Sequence, residues 1–185
     1  MGRVVYSMSV SLDGFAADAD GSIDWVIVDE ELHEAFNDEA RQAGVFLYGR
    51  RMYELMTGYW PTAEADPTST AVERDFARIW RDMPKLVASR TLVETGWGVQ
   101  LVKGDVVDEV ARLRSELVGD IGVGGPTLAA TLLRAGLVDD VRVYVNPVVL
   151  GGGLPFFPDG LRLDLRLVDT RRFAAGVVLL RYAMR

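Results

Sequence analysis

Apolar residues recur along the chain with two periods, one typical of strands and the other typical of helices. Every second position from Arg3 to Ser11 is apolar, which predicts a strand. Alternation and short apolar runs predict further strands over 45–48, 85–89, 99–103, 121–123, 137–150, 161–170 and 176–183. Apolar positions spaced by three and four predict helices over 29–42, 51–56, 72–83 and 106–117, and a last helix from Pro126 to Gly136.

Strands and helices alternate through the front of this order, and strands alone close the chain. The alternation predicts a parallel sheet with helices on its faces, and the closing strands predict an antiparallel edge. The sequence therefore predicts an α/β protein with a three-layer α/β/α mixed sheet. Gly44 is predicted to end the first helix, 57–70 to form a loop, and Pro147 to bend the strand that contains it.

The composition places these elements in a single domain over residues 1–185. No apolar run approaches the roughly 18 residues of a membrane span, and the N-terminus enters a strand pattern rather than a signal peptide. We therefore expect a cytoplasmic protein that does not bind membranes. The formal net charge of −7 argues against nucleic-acid binding, which requires a basic face.

The residue inventory limits the chemistry further. The chain has no cysteine, which excludes disulfides, thiolate zinc sites and cysteine nucleophiles. A single histidine, His33, excludes a histidine-rich metal site, and we expect no metal. An anionic ligand would require arginines grouped locally against the acidic background.

The stretch from Asp120 to Arg134 joins a predicted strand to a helix through Gly124, Gly125, Pro126 and Thr127. Proline suits the first helical position because its missing N–H would have no helical partner there. The two glycines permit a close approach, and the free N–H groups of the first helical turn favour an anion. A tight turn without a ligand is the alternative, since the third glycine of the G-x-G-x-x-G fingerprint is missing.

Two further turns follow predicted parallel strands and supply arginines: Gly49-Arg50-Arg51 and Ser89-Arg90. Ligands of open α/β sheets bind outside the carboxyl ends of the strands, where all three turns would meet. This arrangement predicts a dinucleotide whose 2′-phosphate is held by Arg50, Arg51 or Arg90 together with Ser89. NADPH is favoured over NADH, because no acidic residue stands where a ribose 2′-hydroxyl would be read. Solvated surface arginines are the alternative.

Six segments, in this order, resemble one family: SVSLDG, FLYGRRMYE, MPKLVASRTL, IGVGGPTLAATLL, GLVDDVRVYVNPVVLGGGLPFFP and GVVLLRY. Together they cover nearly the whole chain and resemble the dihydrofolate reductase superfamily. The most similar branch is the RibD C-terminal-like group, which includes the reductase domain of the bifunctional riboflavin-biosynthesis enzyme and small stand-alone proteins.

The resemblance implies a dihydrofolate-reductase-like sheet of about eight strands, mostly parallel, with an antiparallel C-terminal strand. It implies NADPH as cofactor, hydride transfer to a small heterocyclic substrate, and a homodimer formed through the sheet. It assigns Gly49, Arg50 and Arg51 to phosphate contacts, Ser89 and Arg90 to the 2′-phosphate, Gly124 to Thr127 to the pyrophosphate, and Ser11, Asp13 and Gly14 to the nicotinamide. It also implies a cis peptide bond between Gly124 and Gly125.

The residues define the substrate-binding part of the site less clearly than the cofactor-binding part. Asp29 and Glu30 are candidate proton donors, because the resemblance implies a carboxylate at the first long helix. Trp25, His33 and Trp60 are candidate substrate contacts, while segment 15–28 is a candidate lid. The alternatives are charges that favour the helix dipole, and tryptophans that only anchor loops.

The function that these observations predict is an NADPH-dependent reductase acting on a pterin- or ribosylaminopyrimidine-like small molecule. Dihydrofolate reductase proper and the riboflavin-pathway reductase are two enzymatic alternatives. A protein that binds NADP(H) or flavin without turnover is an alternative of another class.

Overall fold

The computed structural model describes residues 2–185 and is built around an eight-stranded sheet. The strands are β1 (Val4–Val10), β2 (Phe15–Ala17), β3 (Ala43–Gly49), β4 (Lys85–Ala88), β5 (Val99–Leu101), β6 (Asp120–Gly124), β7 (Asp140–Val145), β8 (Leu154–Pro155), β9 (Leu165–Arg172) and β10 (Val178–Met184). The helices are α1 (Glu30–Gln42), α2 (Arg50–Ala63), α3 (Ala71–Asp82), α4 (Val106–Glu116) and α5 (Pro126–Arg134).

The strand order is β5-β4-β3-β6-β1-β7-β10-β9. All neighbours from β5 to β7 pair in parallel, and β10 runs antiparallel to both β7 and β9. The predicted mixed sheet, mostly parallel with an antiparallel C-terminal strand, is confirmed. Strands β2 and β8 form a separate antiparallel ribbon, which the sequence did not predict.

The two faces of the sheet differ in chemistry. One face carries alternate residues of β1 such as Val4, Tyr6 and Val10, which are buried with the apolar sides of α4 and α5 in the largest core cluster. The opposite face carries Val5 and Ser7, and it borders a cavity beneath α1, α2 and α3. One face of the sheet is therefore packed with apolar side chains, and the other retains polar groups.

Helix boundaries follow from side-chain caps that the sequence contains. Asp29 caps α1 by accepting from the N–H of Leu32, and Asp105 caps α4 in the same way. Thr70 and Glu73 form a reciprocal capping box at α3. None of the helices in residues 2–185 combines the length and apolar character that crossing a bilayer requires.

The prediction that Gly44 ends the first helix is wrong. The chain turns extended at Ala43, and Gly44 lies inside β3. A Cβ atom on Gly44 would lie 2.5 Å from the carbonyl oxygen of Val118. This glycine is needed because two backbone segments approach closely, and its role is not to stop the helix.

The predicted loop 57–70 is also wrong in its first half, because α2 continues to Ala63 and includes Pro61. Proline normally disrupts a helix interior, since it lacks an N–H donor. Here Trp60 packs on Phe76 with ring centroids 4.4 Å apart, and Met56 joins the same cluster. Burial of this helical face outweighs the local preference of proline.

The predicted strand 137–150 is too long, because β7 ends at Val145 and Pro147 lies beyond it. The N–H of Val148 donates to the carbonyl of Asn146, and the N–H of Leu12 donates to the carbonyl of Val148. The apolar run after Pro147 is therefore a loop attached to the end of β1.

Candidate functional site

The three predicted ligand turns lie side by side at the carboxyl edge of the parallel strands. Gly49 pairs with Ala88 across β3 and β4, and Tyr48 pairs with Gly124 across β3 and β6. The turns that begin at these positions are therefore neighbours, as the parallel sheet predicted.

The Gly124–Gly125 turn opens directly into α5. Gly125 is the N-cap residue with φ 108° and ψ 123°, and Pro126 follows at the first helical position. This backbone conformation is essentially restricted to glycine. All peptide bonds of residues 2–185 are trans, so the cis bond implied by the resemblance is wrong. The turn leaves the first N–H groups of α5 without helical acceptors, as an anion site requires.

The arginines of the other two turns reach different neighbours. Arg50 donates to Glu54 and, at 2.7 Å, to the hydroxyl of Thr91, so it spans from the β3 turn to the β4 turn. Arg51 donates instead to the carbonyl of Gly21 in the segment after β2. Arg90 is exposed. Arg50 thus stays at the edge where the three turns meet, whereas Arg51 connects that edge to the candidate lid.

Ser89 shapes its own turn, since its hydroxyl accepts from the N–H groups of Thr91 and Leu92 at 3.2 and 3.1 Å. Thr127, in the first turn of α5, is exposed. Gly14 follows β1 with φ 88°, and its carbonyl accepts from the N–H of Phe156. These residues lie at or near the carboxyl edge of the parallel strands, and their roles toward a cofactor stay predictions.

Asp13 and Ser11 connect the end of β1 to the loop after β7. The carboxylate of Asp13 accepts from the N–H groups of Leu150 and Gly151 at 3.1 and 2.7 Å. The Ser11 side chain hydrogen bonds to Asp13 and, with these two N–H groups, lowers the pKa of the Asp13 carboxyl to about 2. Ser11 itself is buried and accepts from the N–H of Phe15.

We expect the contact between Asp13 and Gly151 to persist through mildly acidic pH and to be lost only as the pH falls toward about 2. A carboxyl whose pKa is lowered on folding stabilises the folded contact above its unfolded pKa, and this contribution disappears as pH falls through the folded value. The amide chemical shift of Gly151, followed by NMR against pH, measures it. Asp13→Asn is the control and should remove the titration; a midpoint near pH 4 would contradict the contact.

Asn146 is a residue of this edge that sequence reasoning missed. It is fully buried, its side-chain amide donates to the carbonyls of Val10 and Tyr144, and its oxygen accepts from the N–H of Ile27 at 3.0 Å. It therefore anchors the end of segment 15–28 to the ends of β1 and β7. The only signal in the sequence was a polar residue between a buried strand and Pro147.

The candidate substrate residues lie around the site without converging on one point. Asp29 is occupied as the cap of α1, and Glu30 is exposed. Trp25 donates its indole N–H to the carbonyl of Ser22 within its own loop. His33 bonds to Asn37, and both His33 and Trp60 pack against Phe76 of α3. None of these five candidates borders the cavity beneath α1.

That cavity has a volume of about 180 Å³ and lies between the polar face of the sheet and helices α1, α2 and α3. Gly122 and Gly124 of β6 line it, and their lack of side chains lets Phe46, Tyr48 and Met52 pack closely over the strand. Its walls are mainly apolar, with Phe36, Phe46, Met52, Met56 and Phe76 among them. It extends along β6 from Gly124, at the carboxyl edge of the sheet, to Asp120, a distance of about 13 Å.

Four polar residues also line the cavity: Ser7, Glu39, Asp120 and Arg142. By the register of the parallel strands, Ser7 and Arg142 lie level with Gly124, whereas Asp120 lies at the opposite end of β6. Glu39, on the last turns of α1, accepts from the hydroxyls of Ser7 and Tyr144. Burial, reinforced by Glu39, raises the pKa of the Tyr144 phenol well above its usual range, so this hydroxyl stays protonated and donates.

A buried ion cluster that the sequence analysis also missed adjoins Arg142 on β7. Asp140 is 2% exposed and is paired with Arg142, Arg181 and Arg3. Burial opposes the charge of Arg142, but Glu39 and Asp140 outweigh it and raise the pKa of the guanidinium, which stays charged. The sequence did contain a signal for this cluster: Asp140, Arg142 and Tyr144 alternate with valines along β7, and a buried strand rarely carries polar residues in this way.

Comparison with known proteins places these features in context. The family model described as the RibD C-terminal domain matches residues 3–179. The uncharacterized protein YyaP of Bacillus subtilis is 35% identical over 182 residues, which are 97% of this chain and 94% of that protein.

Two solved structures with the same fold cover all of this chain. A diaminohydroxyphosphoribosylaminopyrimidine deaminase/5-amino-6-(5-phosphoribosylamino)uracil reductase from Thermotoga maritima has a TM-score of 0.70 and 15% identity, and 57% of its chain is matched. A dihydrofolate reductase from Enterococcus faecalis, solved with NADP(H), has a TM-score of 0.67 and 14% identity, and 97% of its chain is matched. At these identities the likeness shows the fold.

Proposed function

Since this chain belongs to the RibD C-terminal domain family, we propose that it is an NADPH-dependent reductase that transfers hydride to a small heterocyclic, pterin- or ribosylaminopyrimidine-like substrate. One observation carries the proposal: Gly124 belongs both to the turn that opens α5 and to the lining of the cavity beneath α1. A dinucleotide on that turn and a ring in that cavity would therefore meet.

The residues of the carboxyl edge fit a phosphorylated dinucleotide. The start of α5 offers free N–H groups, and Gly49 and Gly125 leave no side chain between the β3 and β6 turns. Arg50, already directed across to Thr91, and Arg90 supply positive charge beside Ser89. In this proposal they hold the pyrophosphate and the 2′-phosphate, and NADPH, when bound, supplies the hydride.

The protein contributes mainly alignment and exclusion of water. Asn146 and Asp13 hold two loops at the end of β1, and Arg51 holds segment 15–28 through Gly21. In this proposal, these contacts fix the loops beside the place where the nicotinamide and the substrate ring would meet. Asp29 or Glu30 as proton donor stays a prediction; Asp29 would have to leave its capping bond, and Glu30 would act through water.

The experiment that tests the cofactor assignment is titration of NADPH and NADH against the wild type, Arg50→Ala and Arg90→Ala by fluorescence. We expect NADPH to bind more tightly than NADH, and loss of either arginine to weaken NADPH about 10- to 100-fold, since a charged hydrogen bond is worth about 1.5–3 kcal/mol. Arg162→Ala is the control, because Arg162 is exposed and pairs only with Asp164. Equal affinities for the two cofactors would contradict the assignment.

A binding protein without turnover is the second candidate, and one observation favours it. Of the two acidic residues that line the cavity, Glu39 already accepts from Ser7 and Tyr144, and Asp120 lies at the end of β6 opposite Gly124. Dihydrofolate and ribosylaminopyrimidines, screened for substrate-dependent NADPH oxidation, decide between the two candidates. Oxidation supports the reductase; tight NADPH binding with no oxidation supports the binding protein.

The homodimer also stays a prediction. Strand β9 is an edge strand of the sheet, with Leu167 and Val168 exposed. This edge is the surface that a dimer formed through the sheet would cover.

A further inference from the structure

Arg142 is an unusual residue for the middle of a sheet face. It is 5% exposed, lies on β7 directly opposite Ser7 of β1, and lines the cavity beneath α1. Charged residues are rarely this buried unless they are paired or serve a ligand. Its pairing is therefore informative.

The pairing of Arg142 uses only part of its guanidinium. Nε donates to Asp140 at 3.0 Å, and Nη1 lies 3.4 Å from Glu39, whose charge and hydrogen bonding both help to raise the pKa of Arg142. Of the two outer nitrogens, Nη2 has no hydrogen-bond acceptor within residues 2–185. Neither nitrogen is among the polar atoms sealed from solvent without a partner. An arginine has five N–H donors in a planar fork, so the outer part of this fork remains available at the cavity.

Glu39 is an acceptor beside this fork. Its two oxygens accept from Ser7 and Tyr144, whereas a carboxylate has about four acceptor positions. The same wall thus presents donors on Arg142 and spare acceptor capacity on Glu39. This pattern complements a ligand edge in which a carbonyl oxygen stands next to a ring N–H, as in a cyclic amide.

Charge and size narrow the ligand further. Arg142, Arg181 and Arg3 pair with Asp140 and Glu39, and a third carboxylate, that of Asp120, also lines the cavity, so charges of the two signs are equal in number. A charged ligand would upset this balance, so a neutral one is favoured. The cavity volume of about 180 Å³ compares with the roughly 150 Å³ that encloses a benzene ring.

We propose that Arg142 is the specificity-determining residue of this cavity. Its Nη donors bind a carbonyl oxygen of a neutral planar ring, while the adjacent ring N–H donates to Glu39. The inference rests on the proposed function, since it assigns the β7 wall of the same ligand cavity. Its test measures binding and requires no turnover.

The test compares two probes by calorimetric titration with NADPH present: 6-aminouracil, which carries ring carbonyls beside N–H groups, and 2,4-diaminopyrimidine, in which amino groups replace the carbonyls. We expect the wild type to bind 6-aminouracil at least about tenfold more tightly. Arg142→Lys keeps the charge beside Asp140 but loses the fork, so 6-aminouracil should weaken about 10- to 100-fold and the preference should disappear.

Arg181→Lys is the matched control, because Arg181 also pairs with Asp140 but does not line the cavity. It should bind both probes as the wild type does. Unchanged probe affinities in Arg142→Lys, or no preference between the probes in the wild type, would overturn the inference. The wild-type comparison keeps the test decisive if Arg142→Lys does not fold. NADPH titrated alone separates this result from the cofactor assignment of the proposed function, which fails if the cofactor does not bind.

Discussion

Replacing Asp140 by alanine is expected to lower the free energy of unfolding by about 3–5 kcal/mol, because it leaves a buried charge uncompensated. Asp140 is 2% exposed and accepts from the guanidinium groups of Arg142 and Arg181, while Arg3 approaches it at 2.7 Å. Without the carboxylate, Arg142 keeps only Glu39 as a counter-charge inside the fold. Urea unfolding followed by circular dichroism measures the change.

Asp164→Ala is the matched control for this loss. It removes an aspartate that also pairs with an arginine, Arg162, but both side chains are largely exposed. Exposed ion pairs contribute little, so the expected change is within about 0.5 kcal/mol. A similar loss in both variants would show that burial does not set the value of the Asp140 cluster.

Gly125→Ala is expected to weaken NADPH binding by about 10- to 100-fold. Gly125 has φ 108° and ψ 123° at the start of α5, a conformation that costs other residues about 1–3 kcal/mol. A turn that relaxes from this conformation no longer directs the first N–H groups of α5 toward a phosphate. Fluorescence titration of NADPH gives the affinity.

Gly136→Ala separates strain from ligand binding, because Gly136 lies just beyond the other end of α5. It also has a positive φ, 67°, and a Cβ atom there would meet nothing within 4 Å. Both variants should lose stability, and only Gly125→Ala should lose NADPH affinity. Equal NADPH affinity in both variants would remove the α5 turn from the cofactor site.

The positions of most strands along the chain were predictable because hydrophobic periodicity is a local property of the sequence. The parallel direction of most strands and the antiparallel C-terminal strand followed from the alternation of elements. Boundaries failed where distant contacts outweighed local preference. Pro61 stays helical because Trp60 packs on Phe76, and Gly44 serves an approach to Val118 rather than a helix end.

The site divides in the same way. The meeting of the three turns at one edge was predictable, because glycines and arginines directly follow strands whose carboxyl ends must share one edge in a parallel sheet. The cavity was not predictable, since Glu39, Ser7 and Arg142 are separated by up to 135 residues and meet only through the packing of α1 on β1 and β7. No local pattern encodes such a meeting.

By itself the sequence determined most of the strands and helices of the main sheet and its layers, and that the three glycine- and arginine-bearing turns lie at one edge of that sheet. The periods of apolar residues and the chemistry of glycine and arginine act over a few positions. Only the tertiary structure decided which sheet face stays polar, that Asn146 anchors the loop at Ile27, and that a buried Arg142 keeps donors free at a cavity. These features depend on register and burial, which arise when distant segments pack together.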